Sequence, residues 1–231
     1  PRPFAGAAAI AVAIGFNVPF AILGATFDYP DVLRRPAGEV LDLFAQGGAP
    51  LILTWHAFAI SALALAPLAF ALTLTRKRVA EAPSLAIGAA IAGALSALAQ
   101  AIGLWRWVFV VPGLARVHTD AAASEEAKHA AERTFDLINQ YGGVAIGEHL
   151  GQMLLAIFVV CLSALQWRER KLVSGGLGLV TAAAIVVGTC EGLMLAVGQS
   201  GEAFALVTIA GFVGLTLWLI ATGIGTIRGA R

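Results

Sequence analysis

Long apolar runs separated by polar interruptions dominate the chain. Six are long enough to cross a bilayer, whose core takes about 20 apolar residues per helix: residues 4–27, 51–75, 84–111, 143–167, 172–198 and 203–227. They predict an all-α fold, a polytopic membrane helix bundle built as a single integral membrane domain over residues 1–231. Two of the interruptions, "DYPDVLRRPAGEVLDLFAQGGAP" and "PGLARVHTDAAASEEAKHAAERTFDLINQY", are long, and each carries a helical repeat of its own. In the second, Ala127, Ala131, Ile138 and Tyr141 share one face, and Glu125, Lys128, His129, Glu132 and Arg133 take the other. Lys128 and Glu132 stand four apart, as a surface ion pair would. In the first, Val40, Leu41, Leu43 and Phe44 oppose Glu39 and Asp42. Two amphipathic helices are therefore expected in these connections, lying on the membrane face as caps. Span, amphipathic helix and span follow one another twice before residue 167, a faint repeat of layout rather than of sequence.

Composition agrees with the pattern. Hydrophobic residues make up 59% and charged residues 13%, at a mean hydropathy of +0.85, where a globular domain carries roughly a quarter charged residues. The first run is too long for a secretory signal and contains Asn17 and Pro19. A retained, kinked helix is expected there, with Asn17 capping backbone groups that the kink releases. Cys161 and Cys190 lie inside spans and are expected to be buried thiols rather than a disulfide framework.

Charge sets an orientation. Basic residues collect on the cytoplasmic side. Arg2, Arg76 to Arg78, Arg168, Arg170, Lys171, Arg228 and Arg231 fall on one side if the chain begins inside, and most acids fall on the other. Both termini are then cytoplasmic. Trp55, Trp105 and Trp107 lie toward the outer ends of their spans and Trp167 at an inner end, the interfacial positions tryptophan favours.

Within lipid, small residues that let backbones approach take over the role of apolar packing. Gly143, Gly147 and Gly151 form one ridge of the fourth span, and Gly188 and Gly192 a pair in the fifth, so these two spans are expected in close contact. Ala89, Gly93, Ala97 and Ala101 of the third span and Ala221 and Gly225 of the sixth are similar.

Candidate chemistry rests on ionisable groups inside the spans. The stretch "GGVAIGEHLGQMLLAIFVV" puts Glu148 and His149 in the fourth span, with Gln152 one turn beyond Glu148. His56, Arg106 and Glu191 reach a similar depth from the second, third and fifth spans. A charge costs about 2.5 to 3.5 kcal/mol near the centre of an isolated inserted helix, so such groups face the bundle and find partners. Four readings follow. The groups brace the bundle, Arg106 pairing with Glu148 or Glu191; or His56, Arg106, Glu148, His149, Gln152 and Glu191 line an outer-leaflet pocket for a small ligand. Alternatively His56 and His149 hold a b-type haem with Arg106 near its propionates, or the two histidines and the glutamates hold a divalent metal. As a brace the cluster belongs to an accessory subunit docked on a larger membrane complex, the main rival to ligand binding. The partners expected are lipid, a small molecule and membrane subunits, not nucleic acid. "EHLGQ" lacks the second histidine of HExxH, and the chain has no GxSxG, Walker or dinucleotide motif, so catalysis is not the expected role. His118 and His129 are expected to be solvated.

With "GLWRWVFVVPGLA" in the third span and "VAIGEHLGQ" in the fourth, the chain resembles an uncharacterised family of bacterial six-helix integral membrane proteins, a domain of unknown function. The resemblance covers nearly the whole chain and implies a bacterial inner (plasma) membrane protein. It carries no activity and no catalytic residues with it.

Overall fold

The computed structural model describes residues 2–229, and every element among them is helical. In chain order these are α1 (Arg2–Phe27), a 3-10 turn (Asp31–Arg34), α2 (Ala37–Leu63), α3 (Leu65–Thr73), α4 (Arg76–Glu81), α5 (Pro83–Phe109), α6 (Val111–Thr119), α7 (Glu125–Ile138), a π helix (Asn139–Leu150), α8 (Gly151–Arg168), α9 (Leu172–Gly188), α10 (Cys190–Ala196) and α11 (Glu202–Arg228). Six helical segments are long and apolar enough to cross a membrane: Pro3–Phe27, Ala37–Thr73, Pro83–Thr119, Glu125–Arg168, Leu172–Met194 and Ala203–Arg228. The protein is thus a multi-pass helical membrane protein, in contact with the lipid bilayer.

The spans close into a ring in chain order. α1 packs on α2, α2 and α3 on α5, α5 on α8, α8 on α9, α9 on α11, and α11 returns to α1. The central helix α5 turns small residues inward and bulky ones outward, whereas α8 packs Leu155, Phe158, Val159 and Leu162 into the core. On α5, Ala86, Ala89, Ala97 and Ala101 are buried while Ile87, Ile91, Leu95, Leu98 and Ile102 are exposed. That pattern suits a solvent of acyl chains, against which bulky aliphatics lose nothing. Phe158 and Trp218 meet edge to face inside the ring and fill its centre.

At one end the spans run on into a cap. Both amphipathic helices occur where expected, the first as the opening half of α2 and the second as α7. They do not lie apart on the membrane face: both continue spans and pack on each other and on α6. The reason is mutual burial, since Val40, Leu41 and Phe44 of α2, Val111 and Ala115 of α6, and Ala131 and Phe135 of α7 share one apolar cluster. Tyr141, expected on that face, is 67% exposed, and Phe135 takes the anchoring position. Gly48, at φ 56° and ψ −150°, breaks α2 between its cap half and its span half, and Pro50 restarts the helix.

Several polar expectations change once the cap is packed. Trp55 and Trp107 are fully buried and stacked at 4.8 Å rather than interfacial, whereas Trp167 is half exposed as expected. His118 is not solvated, because α2 and α7 close over it and set Asp42 and Glu132 each 3.5 Å from its ring nitrogens. Lys128 pairs with Glu125 at 3.0 Å instead of Glu132, which faces His118 and His129. His129 stays exposed. α1 runs unbroken through Pro19, and Asn17 donates to the Ala13 carbonyl and to Thr216 Oγ1 of α11, acting as a clasp between helices. Cys161 and Cys190 are free and half-buried.

Candidate functional site

The fourth span changes helix type where its polar residues lie. Residues Asn139–Leu150 form a π helix, a rare geometry that is frequent at functional sites. Its glycines mesh with α5. A Cβ on Gly143 would stand 2.6 Å from Arg106 Cζ, one on Gly103 2.7 Å from the Gly147 Cα, and one on Gly151 2.9 Å from Gln100 Cγ. Steps of three along α5 therefore engage steps of four along the antiparallel neighbour. The glycine ridge itself meshes with the third span, while the expected contact between the fourth and fifth spans is made mainly by α8 against α9. Gly188 meets Thr208 of α11 instead, while Gly192 approaches Val144 of the π helix at 3.1 Å. Gly225 touches nothing within 4 Å, and the sixth span makes its close approaches through Gly211, Gly214 and Gly223. Both ends of the π helix are tied to α5. Asn139 Oδ1 accepts from Arg106 Nη2 at 3.0 Å, and the Gly151 carbonyl accepts from Ser96 Oγ at 2.7 Å.

Arg106 is the centre of the arrangement. Its guanidinium is buried against Gly143, donates to the Gly103 carbonyl and to Asn139, and lies 5.1 Å from the Trp107 ring centroid. Its Nε has no acceptor among the described residues. Among the described residues it makes no ion pair, so the expected pairing with Glu148 or Glu191 does not occur. Glu191 instead takes Arg34, which also holds Asp31 at 3.0 Å.

Glu148 belongs to the same group. The i→i+5 geometry of the π helix sets it one turn beyond Gly143 and beside Gly147, facing the charge of Arg106 and, more weakly, those of Glu191 and Arg34. Among the described residues it has neither a hydrogen bond nor an ion pair. Tyr29, from the turn after α1, stands in the field of Glu148, Arg106 and Glu191. Burial first, and the charge of Glu148 second, push its phenol well above the ordinary tyrosine range, so at neutral pH it is a proton donor. Its ring meets Trp55 edge-on at 5.1 Å, which joins this group to the Trp55–Trp107 stack.

The remaining predicted residues are less tightly gathered. His149 directs Nδ1 to the Thr189 carbonyl at 3.2 Å, leaving Nε2 as its free nitrogen. Gln152 is buried in the first turn of α8. His56, next to Trp55, keeps a buried Nδ1 without a partner, and α5 packs between its helix and the π helix that carries His149. No three His, Cys, Asp or Glu side chains among the described residues are grouped to hold a metal. Tyr29, Arg34 and Asn139 are the members that sequence reasoning missed. Two lie in the connection read as a cap, and Asn139 sits at the helix-type junction, which no periodicity marks.

Against known proteins, the chain belongs to the family described as Domain of unknown function (DUF4386), which it matches over residues 4–223. No curated protein and no solved structure matches it.

Proposed function

We propose that this membrane protein binds a small hydrophilic ligand at the capped end of its helix ring, between Arg106, Glu148 and Tyr29. His56, His149 and Gln152 lie around the site and the Arg34–Glu191 pair at its rim, with the cap on the outer side of a bacterial inner membrane. The observation that carries the reading is that Arg106 and Glu148, opposite charges in one another's field, are each left without an ionic partner among the described residues. A bracing pair looks different, and this molecule contains one: Arg78 and Glu169 meet through two hydrogen bonds of 2.6 and 2.9 Å. Buried charges are stable when paired and hydrogen-bonded, and costly otherwise. A ligand that completes both groups removes that cost.

The test is a ligand screen on protein purified in mild detergent, read by melting temperature and tryptophan emission, because the Trp55–Trp107 stack touches both Arg106 and Tyr29. One chemical class raises the melting temperature and shifts the emission, and Arg106→Gln and Glu148→Gln lose that response while remaining folded. A screen in which nothing binds, with Arg106→Gln changing only the melting temperature, would return the cluster to a bracing role in an accessory subunit.

A further inference from the structure

We infer that the ligand is zwitterionic, with an oxyanion taken by Arg106 and an ammonium taken by Glu148, a few bonds apart. This rests on the ligand site proposed above and narrows its chemistry. Among the described residues, the charges facing the site are Arg106, Glu148, Arg34 and Glu191, with Asp31 beside Arg34. Arg34 and Glu191 satisfy one another, so the site presents one open positive and one open negative group. A simple anion would complete Arg106 and leave Glu148 uncompensated, and a simple cation would do the reverse. Either strands a charge in a low-dielectric setting, the costly outcome for a buried pair. A molecule carrying both signs leaves neither.

The donors are arranged to match. Arg106 Nε has no acceptor, and Tyr29 supplies a phenolic proton in the same field. Glu148 offers acceptor oxygens alone when ionised. The two anchor points are close, because the guanidinium rests on Gly143 and Glu148 stands one π-helix turn along the same segment. A compact zwitterion therefore matches the spacing of the two charges. Two sources share this chemistry: a free amino acid, and the phosphoethanolamine headgroup of a membrane lipid.

Four probes separate the possibilities: alanine, its two halves propionate and ethylamine, and glycerophosphoethanolamine. Each is titrated against the full chain in detergent with tryptophan emission as the readout. A zwitterion binds about tenfold or more tighter than either half, the usual consequence of leaving a site's buried polar group unpaired. Glu148→Gln erases that preference, so that propionate binds as well as alanine. Arg106→Gln abolishes binding of every oxyanion, and Arg106→Lys, which keeps the charge, retains part of it. Tighter binding of glycerophosphoethanolamine than of alanine assigns the lipid source, and the opposite order assigns the free amino acid. If propionate matches alanine in the unaltered protein and Glu148→Gln changes nothing, the zwitterion inference fails while the ligand site stands. If no probe binds and the screen above also finds nothing, both fail together.

Discussion

Arg106 lays its guanidinium on the bare Cα of Gly143, where a Cβ would stand 2.6 Å from Arg106 Cζ. One turn inward the same two helices touch backbone to backbone, since a Cβ on Gly103 would stand 2.7 Å from the Gly147 Cα. The two contacts differ in what can yield. Gly143→Ala displaces the end of a flexible side chain, so it costs about 1 kcal/mol of stability and breaks the Arg106–Asn139 bond, and with it the ligand binding proposed above. Gly103→Ala must separate two helices and costs about 2 to 3 kcal/mol, the upper part of the overpacking range. Denaturation of both variants in detergent checks the order, and equal losses would contradict this account of the interface.

Gly48 supplies a second contrast, this time conformational. Its φ of 56° with ψ of −150° belongs to a region open essentially to glycine alone, although a Cβ there would approach nothing nearer than Pro50 Cδ at 4.0 Å. Gly48→Ala is expected to lower stability by about 1 to 3 kcal/mol through backbone strain alone. Gly113, in α6, is the control, since a methyl added there would meet nothing within 4 Å. Gly113→Ala should be neutral or gain up to about 1 kcal/mol, because alanine favours a helix interior. A Gly48→Ala melting temperature equal to that of the unaltered protein would show that the α2 break relaxes without glycine.

The spans were legible because a bilayer demands a long apolar run whatever the neighbours do. Which helices touch was less so. The ridge Gly143, Gly147 and Gly151 announces a close approach but does not name the partner, and Gly103, ten residues beyond Gly93 in α5, continues no glycine repeat. Trp55 and Trp107 have the spacing of an interfacial belt and of a buried stack alike, and the cap that buries them is a matter of tertiary packing. The ionisable residues were expected as a set at one depth, yet their pairing was not legible, because Arg34 reaches Glu191 across 157 positions of sequence. Arg78 was read as an orientation signal, and its ion pair with Glu169 is invisible without the fold.

His118 joins the three helices of the cap, with Asp42 of α2 and Glu132 of α7 each at 3.5 Å and Gly38 of α2 so close that a Cβ would stand 3.3 Å from His118 Cε1. Loss of the ring removes both contacts and leaves a void beneath two carboxylates. His118→Ala is expected to cost about 1 to 3 kcal/mol and to speed amide exchange over residues 37–46 and 125–135, with no change across α9 or α11. Uniform exchange throughout the chain would instead mean that cap and ring unfold as one unit.

At the end of the ring opposite the cap, Glu169 gives a pH dependence of definite sign. Burial alone would raise its pKa, but the two hydrogen bonds from Arg78 and the ammonium of Lys171 at 3.0 Å overcome this and hold it at about 2, against an ordinary 4.5. Arg78 is itself fixed, since its Nη1 donates to the Leu72 carbonyl near the end of α3. A carboxylate whose folded pKa is depressed stabilises the fold above its unfolded pKa and loses that contribution as pH falls through the folded one. The stabilisation is therefore complete near neutrality and declines from about pH 4.5 toward about pH 2. Because the Glu169 side chain is 18% exposed, the contribution is on the order of 2 to 3 kcal/mol. Glu169→Gln should melt lower than the unaltered protein at pH 7, and the gap between the two should narrow as both are acidified through this window. A gap that stays constant to pH 3 would show that Glu169 gains nothing from its charge, and would leave Arg78 as a helix cap for α3 alone.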